Sequence, residues 1–122
     1  GLINGVIIDT HFVQRGRIGR LFQAVVMNPW MLGIGLGENT GLVIKNNLQM
    51  EAVGSGLVIL VDGNEIKDTN LTSVEMGQPL SINHLVTHVL GMYDTYDLES
   101  RAMCIHNSQY SSIGTFTPDD DE

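Results

Sequence analysis

An apolar run near the start of the chain, residues 5–12, most constrains the fold because it ends beside a histidine and leads into clustered arginines. The run reads Gly-Val-Ile-Ile-Asp-Thr-His-Phe, and such a continuous stretch is typical of a parallel strand covered on both faces. Arg15, Arg17 and Arg20 follow at once, in a chain with six Lys and Arg against fourteen Asp and Glu. Because ligands of open α/β sheets bind beyond the carboxyl ends of the strands, we expect a ligand site where this run ends.

The bulk composition narrows the class of protein. The 122 residues suffice for one domain, and a formal charge of −8 argues against nucleic acid as a partner, which requires a broad basic face. No apolar run approaches the roughly 20 residues that cross a membrane. Cys104 is the single cysteine, so an internal disulfide is excluded, and the compartment stays open with the cytoplasm favoured.

The pattern of apolar residues predicts one helix and five or six strands. The helix covers residues 14–27, where apolar side chains recur at three- and four-residue spacing before Asn28 and Pro29. The predicted strands after the first are residues 32–36, 42–45, 49–53 (as an edge strand), 57–61 with a hairpin-type turn at 62–64, and one long strand at 80–90. Residues 67–78 and 108–122 are predicted to be loop and tail. The sequence therefore predicts an α/β protein with a β-rich C-terminal half.

His11 is the candidate general base, although a structural histidine is the competing interpretation. A rigid strand would fix its backbone while the imidazole emerges at the strand end, which is what proton transfer requires. Such a base is usually oriented by a carboxylate. Glu38 is the best candidate, because it follows the next strand and would lie at the same edge of a parallel sheet. Asp9 is the competitor, nearer the arginines.

The three arginines indicate either anion capture or an ion pair with Asp9. Basic residues in the first turn of a helix oppose its dipole, at a cost of roughly 0.3–1 kcal/mol each, and a solvated helix face is the simpler alternative. Two other patterns do not indicate sites. Residues 35–37 lack the third glycine of a dinucleotide fingerprint, and His84 and His88, on one face of the predicted long strand, have no third metal ligand nearby.

The chain lacks an evident nucleophile. None of its seven serines lies in a Gly-x-Ser-x-Gly elbow after a buried strand, and Cys104 has no convincing setting. Since residue 1 is not a methionine and the core pattern begins almost at once, we expect the chain to be one part of a longer or split protein.

Residues 5–21, with their Asp-x-His-Phe and following x-x-Arg-x-Arg-x-x-Arg pattern, carry a family resemblance. Together with Gly-Ile-Gly at 33–35 and Glu-Asn-Thr at 38–40, they resemble the cyanophycinase family of serine peptidases, which are relatives of the dipeptidase E group. Residues 61–63 and 96–101 also look familiar but are less diagnostic. The resemblance covers about residues 1–101.

The resemblance implies a fold, an activity and roles for particular residues. The fold would be a three-layer α/β sandwich with a mostly parallel central sheet, like class I glutamine amidotransferases. The activity would be hydrolysis of cyanophycin, a polyaspartate carrying arginine on each β-carboxyl, into β-Asp-Arg dipeptides by a Ser-His-Glu triad, without metal or cofactor. His11 and Glu38 match the triad histidine and glutamate. The matching substrate-binding positions are Asp9, Thr10, Arg15, Arg17 and Arg20, and Thr10 departs from the longer polar residue expected there.

The resemblance also implies what the chain would need in order to act. Residues 1–118 would form the C-terminal part of a single peptidase domain, with 119–122 as an acidic tail. The nucleophilic serine would come from the N-terminal half, as a second chain or a preceding segment, and the complete unit is expected to be a homodimer that binds a peptide substrate. The alternative is a non-catalytic binding or assembly subunit that retains the cleft without the nucleophile.

Overall fold

The computed structural model describes residues 5–10, 17–46, 48–73 and 78–107. These residues form one helix and ten strands, several of them very short. The elements in chain order are β1 (Val6–Asp9), α1 (Arg17–Met27), β2 (Leu32–Leu36), β3 (Thr40–Lys45), β4 (Gln49–Gly54), β5 (Val58–Asp62), β6 (Asp68–Thr69), β7 (Ile82–Asn83), β8 (Val86–Leu90), β9 (Thr95–Asp97) and β10 (Ala102–Cys104).

Two four-stranded sheets account for most of the strands. Sheet I has the order β1-β2-β5-β8, and sheet II has the order β10-β9-β4-β3. Strands β1 and β2 are parallel, with Val6 opposite Leu32 and Asp9 opposite Gly35, whereas β5 runs antiparallel to β2 and to β8. Strands β6 and β7 form a separate two-stranded ribbon between β5 and β8.

The main core fills the space between the two sheets. Ile34 and Leu60 of sheet I pack with Met50, Ala52 and Tyr96 of sheet II, and all five are nearly inaccessible to solvent. Alternation along the strands explains this arrangement, because residues two apart point to the same face. Both sheets therefore use one face to bury this core.

Helix α1 covers the opposite face of sheet I. Leu21 and Val25 are buried against Val61 of β5, as the apolar spacing in the sequence predicted. The helix ends at Met27 because Pro29 cannot continue it. The side-chain amide of Asn28 donates to the Ala24 carbonyl oxygen at 3.0 Å and satisfies part of the exposed helix end.

Glycine 33 sets the separation between the helix and the sheet. A Cβ atom at this position would lie 2.6 Å from Cγ2 of Val25 and 3.0 Å from Cδ1 of Leu21. Real Cβ atoms do not approach other carbons that closely, so the helix could not sit at its present height over β2 with a larger residue there. The glycine therefore allows the parallel β1-α1-β2 unit to close.

Several predicted elements are confirmed, and several expectations are wrong in the described residues, including the loop at 67–78, which contains the short strand β6. The helix predicted at 14–27 is present from residue 17, and its predicted residues 14–16 lie outside the described residues. The strands at 32–36, 42–45, 49–53 and 57–61 exist, with shifts of at most two residues at their ends. The strand at 49–53 is not an edge strand, because β4 lies between β9 and β3. Residues 62–64 turn the chain, with the backbone N–H of Asn64 donating to Asp62 at 2.9 Å, but they do not join a hairpin since β5 pairs with β8.

The single long strand predicted at 80–90 is also wrong. Residues 84 and 85 separate β7 from β8, and His84 adopts a left-handed backbone with φ of 72°. A residue in that conformation cannot continue a pleated strand, so the alternating pattern is interrupted. His84 and His88 consequently do not share one strand face.

The predicted fold class is met in part. The described chain is a sheet-rich α/β structure with one helix. Within the described part of sheet I, one strand pair is parallel and two are antiparallel, so the expectation of mostly parallel strands is not met here. The described residues include no helix long and apolar enough to cross a membrane.

The close contact at Gly33 predicts unequal effects of two glycine substitutions. Gly33→Ala should lower the free energy of unfolding by about 1–3 kcal/mol, because the added methyl group displaces α1 from the sheet. Gly19→Ala is the matched control, since a Cβ on this exposed helical glycine meets nothing within 4 Å. The control should raise stability by about 0.5–1 kcal/mol through helix propensity.

Denaturant unfolding of both variants measures the difference. Equal effects of the two substitutions would show that the helix does not depend on a bare backbone at residue 33.

Candidate functional site

One edge of sheet I gathers the residues that the sequence singled out. Because β1 and β2 are parallel and Asp9 is opposite Gly35, the carboxyl ends of both strands lie at this edge. Thr10 follows β1, and the turn formed by residues 37–39, which carries Glu38, follows β2. We refer to this edge, with Thr10 and the 37–39 turn, as the rim. It is the edge on which the sequence predicted a site.

Three of the predicted site residues are described at the rim itself. Asp9 is half-buried at the end of β1, Thr10 is exposed, and Glu38 is exposed in its turn. The carboxylate of Glu38 makes no hydrogen bond or ion pair with any residue that the structure describes, so it is accessible to a partner from elsewhere. Glu38 lies in the turn that follows the second strand, two residues after β2 ends, and its role toward a histidine stays a prediction.

The other predicted residues are described only in part. Arg20 is exposed in the first turn of α1, and Arg17 is the first residue of that helix, with its side chain outside the described atoms. His11 and Arg15 lie outside the described residues. The predicted hydrogen bond between His11 and Glu38 therefore stays a prediction, as does the grouping of the three arginines.

The segment 54–57 also borders the rim, which the sequence did not predict. Because β5 is antiparallel to β2, its amino end also lies at this edge, with Val58 opposite Leu36. The segment 54–57, which leads into β5, consequently passes beside the Glu38 turn, and the Gly37 N–H donates to the Leu57 carbonyl oxygen at 3.1 Å. Two glycines in that segment, Gly54 and Gly56, were the available signal.

The opposite edge of sheet I carries a part-buried ion pair that the sequence did not predict. Asp62, 3% exposed, accepts a hydrogen bond from Nη1 of Arg101 at 2.7 Å. Asp62 is opposite Leu32, at the amino end of β2, so this pair is remote from the rim along the strands. The familiar stretch at 96–101 contained the arginine, but nothing in it indicated a partner 39 residues away.

Tyr96 lies in the core near that ion pair. Burial, together with the nearby Asp62 carboxylate and against the opposing charge of Arg101, raises the pKa of its phenol to about 12. The tyrosine ring contacts the His88 ring with centroids 5.4 Å apart, which links sheet I to sheet II. Neither the Tyr96 hydroxyl nor Nε2 of His88 has a hydrogen-bond partner among the described residues. This cluster is buried and supports the core rather than an accessible site.

Comparison with known proteins gives consistent results. The chain is 39% identical over 103 residues to a cyanophycinase of Trichormus variabilis, a match that covers 84% of this chain and 35% of the relative. It is 39% identical over 97 residues to the cyanophycinase of Geminocystis herdmanii, covering 80% and 36%, and 34% identical over 113 residues to that of Synechococcus elongatus, covering 93% and 34%. No protein-family model matches the chain.

The matches extend over most of the chain, well beyond the motif at residues 5–21. The chain spans about a third of the length of the curated relatives it matches. The resemblance seen in the sequence is thus confirmed, and the chain is related to the cyanophycinase family.

Proposed function

We propose that this chain supplies the histidine and glutamate of a cyanophycinase-like serine exopeptidase, which hydrolyses cyanophycin or related β-aspartyl-arginine peptides. The observation that carries the proposal is the parallel pairing of β1 with β2, because it brings the strand that leads to His11 and the turn that carries Glu38 to one edge of the sheet. The similarity to cyanophycinases over 80–93% of the chain supports the substrate class.

In this proposal each residue has one chemical role. His11 takes the proton from a serine hydroxyl as that oxygen attacks the peptide carbonyl, and then returns it to the leaving amine. Glu38 accepts a hydrogen bond from the other imidazole nitrogen and stabilises the imidazolium. The serine comes from a part that corresponds to the portion of the relatives this chain does not match. The reaction needs no metal or cofactor.

The proposed substrate would account for the expected grouping of charged residues at the rim. A β-aspartyl-arginine unit presents carboxylates and a guanidinium, so it requires both cationic and anionic partners. Arg15, Arg17 and Arg20 would hold the carboxylates by paired hydrogen bonds, and Asp9 would receive the guanidinium, with Thr10 beside it. The alternative, a binding subunit without a nucleophile, would bind the same peptide and leave it intact.

Strand β1, the outermost described strand on its side of sheet I, supports the need for a partner segment. Among the described strands, β1 pairs with β2 alone, and its Ile8 is 60% exposed despite lying in an apolar strand. Strand edges and exposed apolar side chains of this kind are usually covered in a finished protein. We propose that the serine-bearing part pairs with the free side of β1 and extends sheet I.

The triad roles predict that Glu38 matters for turnover and little for stability. In the complete protein, Glu38→Gln should lower kcat at least about a thousandfold, because the imidazolium loses its stabilising charge. The free energy of unfolding should change by no more than about 0.5 kcal/mol, since the side chain is exposed and has no described partner. Glu65→Gln, an exposed carboxylate beyond the other end of β5, is the control and should leave both quantities unchanged.

His11→Ala should likewise abolish turnover while a β-aspartyl-arginine peptide still binds. Peptide hydrolysis and calorimetric binding provide the measurements. If the wild-type complete protein binds the peptide without cleaving it, the non-catalytic alternative replaces the enzyme.

The arginines should affect binding rather than chemistry. Arg17→Ala and Arg20→Ala should each raise KM about 10- to 100-fold with kcat nearly unchanged, because a charge-assisted hydrogen bond to the substrate is lost in ground and transition states alike. Lysine at either position should restore part of the loss, since an ammonium group cannot make the planar two-point contact. Lys67→Ala removes one exposed positive charge outside the rim and should leave KM unchanged.

Unchanged kinetics for alanine at all three arginines would remove them, and the β-aspartyl-arginine substrate, from the proposal.

If a partner segment covers the free side of β1, lysine should lower the free energy of unfolding at one of two exposed strand residues and not at the other. In the complete protein, Ile8→Lys should lower the free energy of unfolding by more than about 2 kcal/mol, because the charge would be buried against the added segment. Val89→Lys is the control. Val89 is 50% exposed on β8, the outermost strand on the other side of sheet I, and should tolerate lysine within about 0.5 kcal/mol. Equal tolerance at both positions would mean that β1 is a true outer edge.

A further inference from the structure

The backbone on both sides of Glu38 is held by separate hydrogen bonds. Before it, the Gly37 carbonyl oxygen accepts a bond from the Thr40 hydroxyl at 2.6 Å, and the Gly37 N–H donates to the Leu57 carbonyl oxygen at 3.1 Å. After it, the Asn39 carbonyl oxygen accepts from the Ser55 N–H at 3.0 Å. The turn is therefore fixed by its main chain, while the Glu38 carboxylate itself stays exposed.

The turn is also tight. Three residues connect β2 to β3, and Asn39 adopts a left-handed backbone with φ of 56°. Asparagine tolerates this conformation better than most residues because its short polar side chain can bond locally. A turn with so few residues has little freedom to reorient, so the direction of the Glu38 side chain depends on the contacts that hold residues 37 and 39.

The segment 54–56 lies directly against this turn because two of its residues have no side chain. A Cβ at Gly56 would be 2.6 Å from the Glu38 carbonyl oxygen and 2.7 Å from Cγ2 of Thr40. At Gly54, which has φ of 97°, a Cβ would be 1.9 Å from the Asn39 carbonyl oxygen. Any larger residue at either position would push the turn outward.

We propose that Thr40 and Gly56 are positioning residues that fix the Glu38 carboxylate for its role toward the histidine, an inference that rests on the function proposed above. Neither residue touches the substrate in this proposal. Thr40 acts through the hydrogen bond from its hydroxyl to the Gly37 carbonyl oxygen. Gly56 acts because, without a side chain, the segment before β5 can lie against the Glu38 carbonyl oxygen. Displacement of a catalytic group by about 1 Å can cost about 100-fold in rate, so these contacts should be visible in kcat.

The central test compares valine and serine at residue 40 in the complete protein with a β-aspartyl-arginine peptide as substrate. Thr40→Val keeps the shape and removes the donor, and it should lower kcat about tenfold or more with KM within about twofold. Thr40→Ser keeps the hydroxyl and should hold kcat within about threefold of the wild type.

A double variant separates positioning from general damage. Because Thr40 acts through Glu38, adding Thr40→Val to Glu38→Gln should cause little further loss of the residual rate. An additive loss would mean that Thr40 acts by another route, and would overturn the inference.

Gly56→Ala tests the same inference independently of whether Thr40→Val folds well. It should lower kcat by a similar factor, whereas Gly41→Ala should not, because a Cβ at Gly41 of β3 meets only Cγ2 of Val53 at an ordinary 3.6 Å. If Glu38→Gln abolishes turnover while Thr40→Val and Gly56→Ala both keep wild-type kcat, the positioning inference is wrong and the proposed triad stands. If Glu38→Gln itself keeps wild-type kcat, the proposed function fails first.

Discussion

The contact between α1 and β2 at Gly33 is the constraint on which the rest of the described structure depends. With no side chain at this residue, Leu21 and Val25 pack directly on the sheet, and the chain can return through the helix to run β2 parallel to β1. A parallel pair requires such a crossover, because a short turn can only join antiparallel strands. The shared edge that carries Asp9, Thr10 and the Glu38 turn follows from that single crossover.

The two edges of sheet I differ in their chemistry. At the carboxyl ends of β1 and β2, polar groups are exposed, and Glu38 has no described partner. At the amino end of β2, the Asp62 carboxylate is buried and compensated, since it accepts a hydrogen bond from the half-buried Arg101 beside Tyr96. A buried carboxylate with its partner serves structure, because removing one member leaves an uncompensated charge. Among the described residues, the rim is therefore the edge of sheet I at which Thr10 and Glu38 stay accessible to solvent.

The sequence predicted those parts of the fold that depend on local pattern. The apolar run of β1, the helical spacing of α1 and the strand at residues 32–36 all follow from side chains close together in the chain. The same pattern places Glu38 in the turn that follows β2. The pairing of β5 with β8 could not be predicted, because 23 residues separate the end of one from the start of the other and no local signal selects the partner. The interruption at His84 was missed since the apolar alternation continues across it, whereas the left-handed backbone depends on the surrounding structure.

Within the candidate site, the limit of prediction was different. Residue types with recognisable chemistry, such as the arginines and carboxylates, could be named from the sequence. Thr40, Gly54 and Gly56 could not, because their contribution comes from where the backbone of one strand passes another. The position of His11 relative to Glu38 stays a prediction, since His11 lies outside the described residues.

The pairing of Thr40 with Gly54 at the open end of the β3–β4 hairpin has a consequence for the order of folding. A hairpin of this kind joins residues close in sequence and forms in about 1–10 μs, faster than contacts that must close long loops. Its two ends carry Asn39 on one side and Ser55 on the other, which are the residues that hold the exit of the Glu38 turn. The backbone on the exit side of the Glu38 turn can thus be established before β1 pairs with β2.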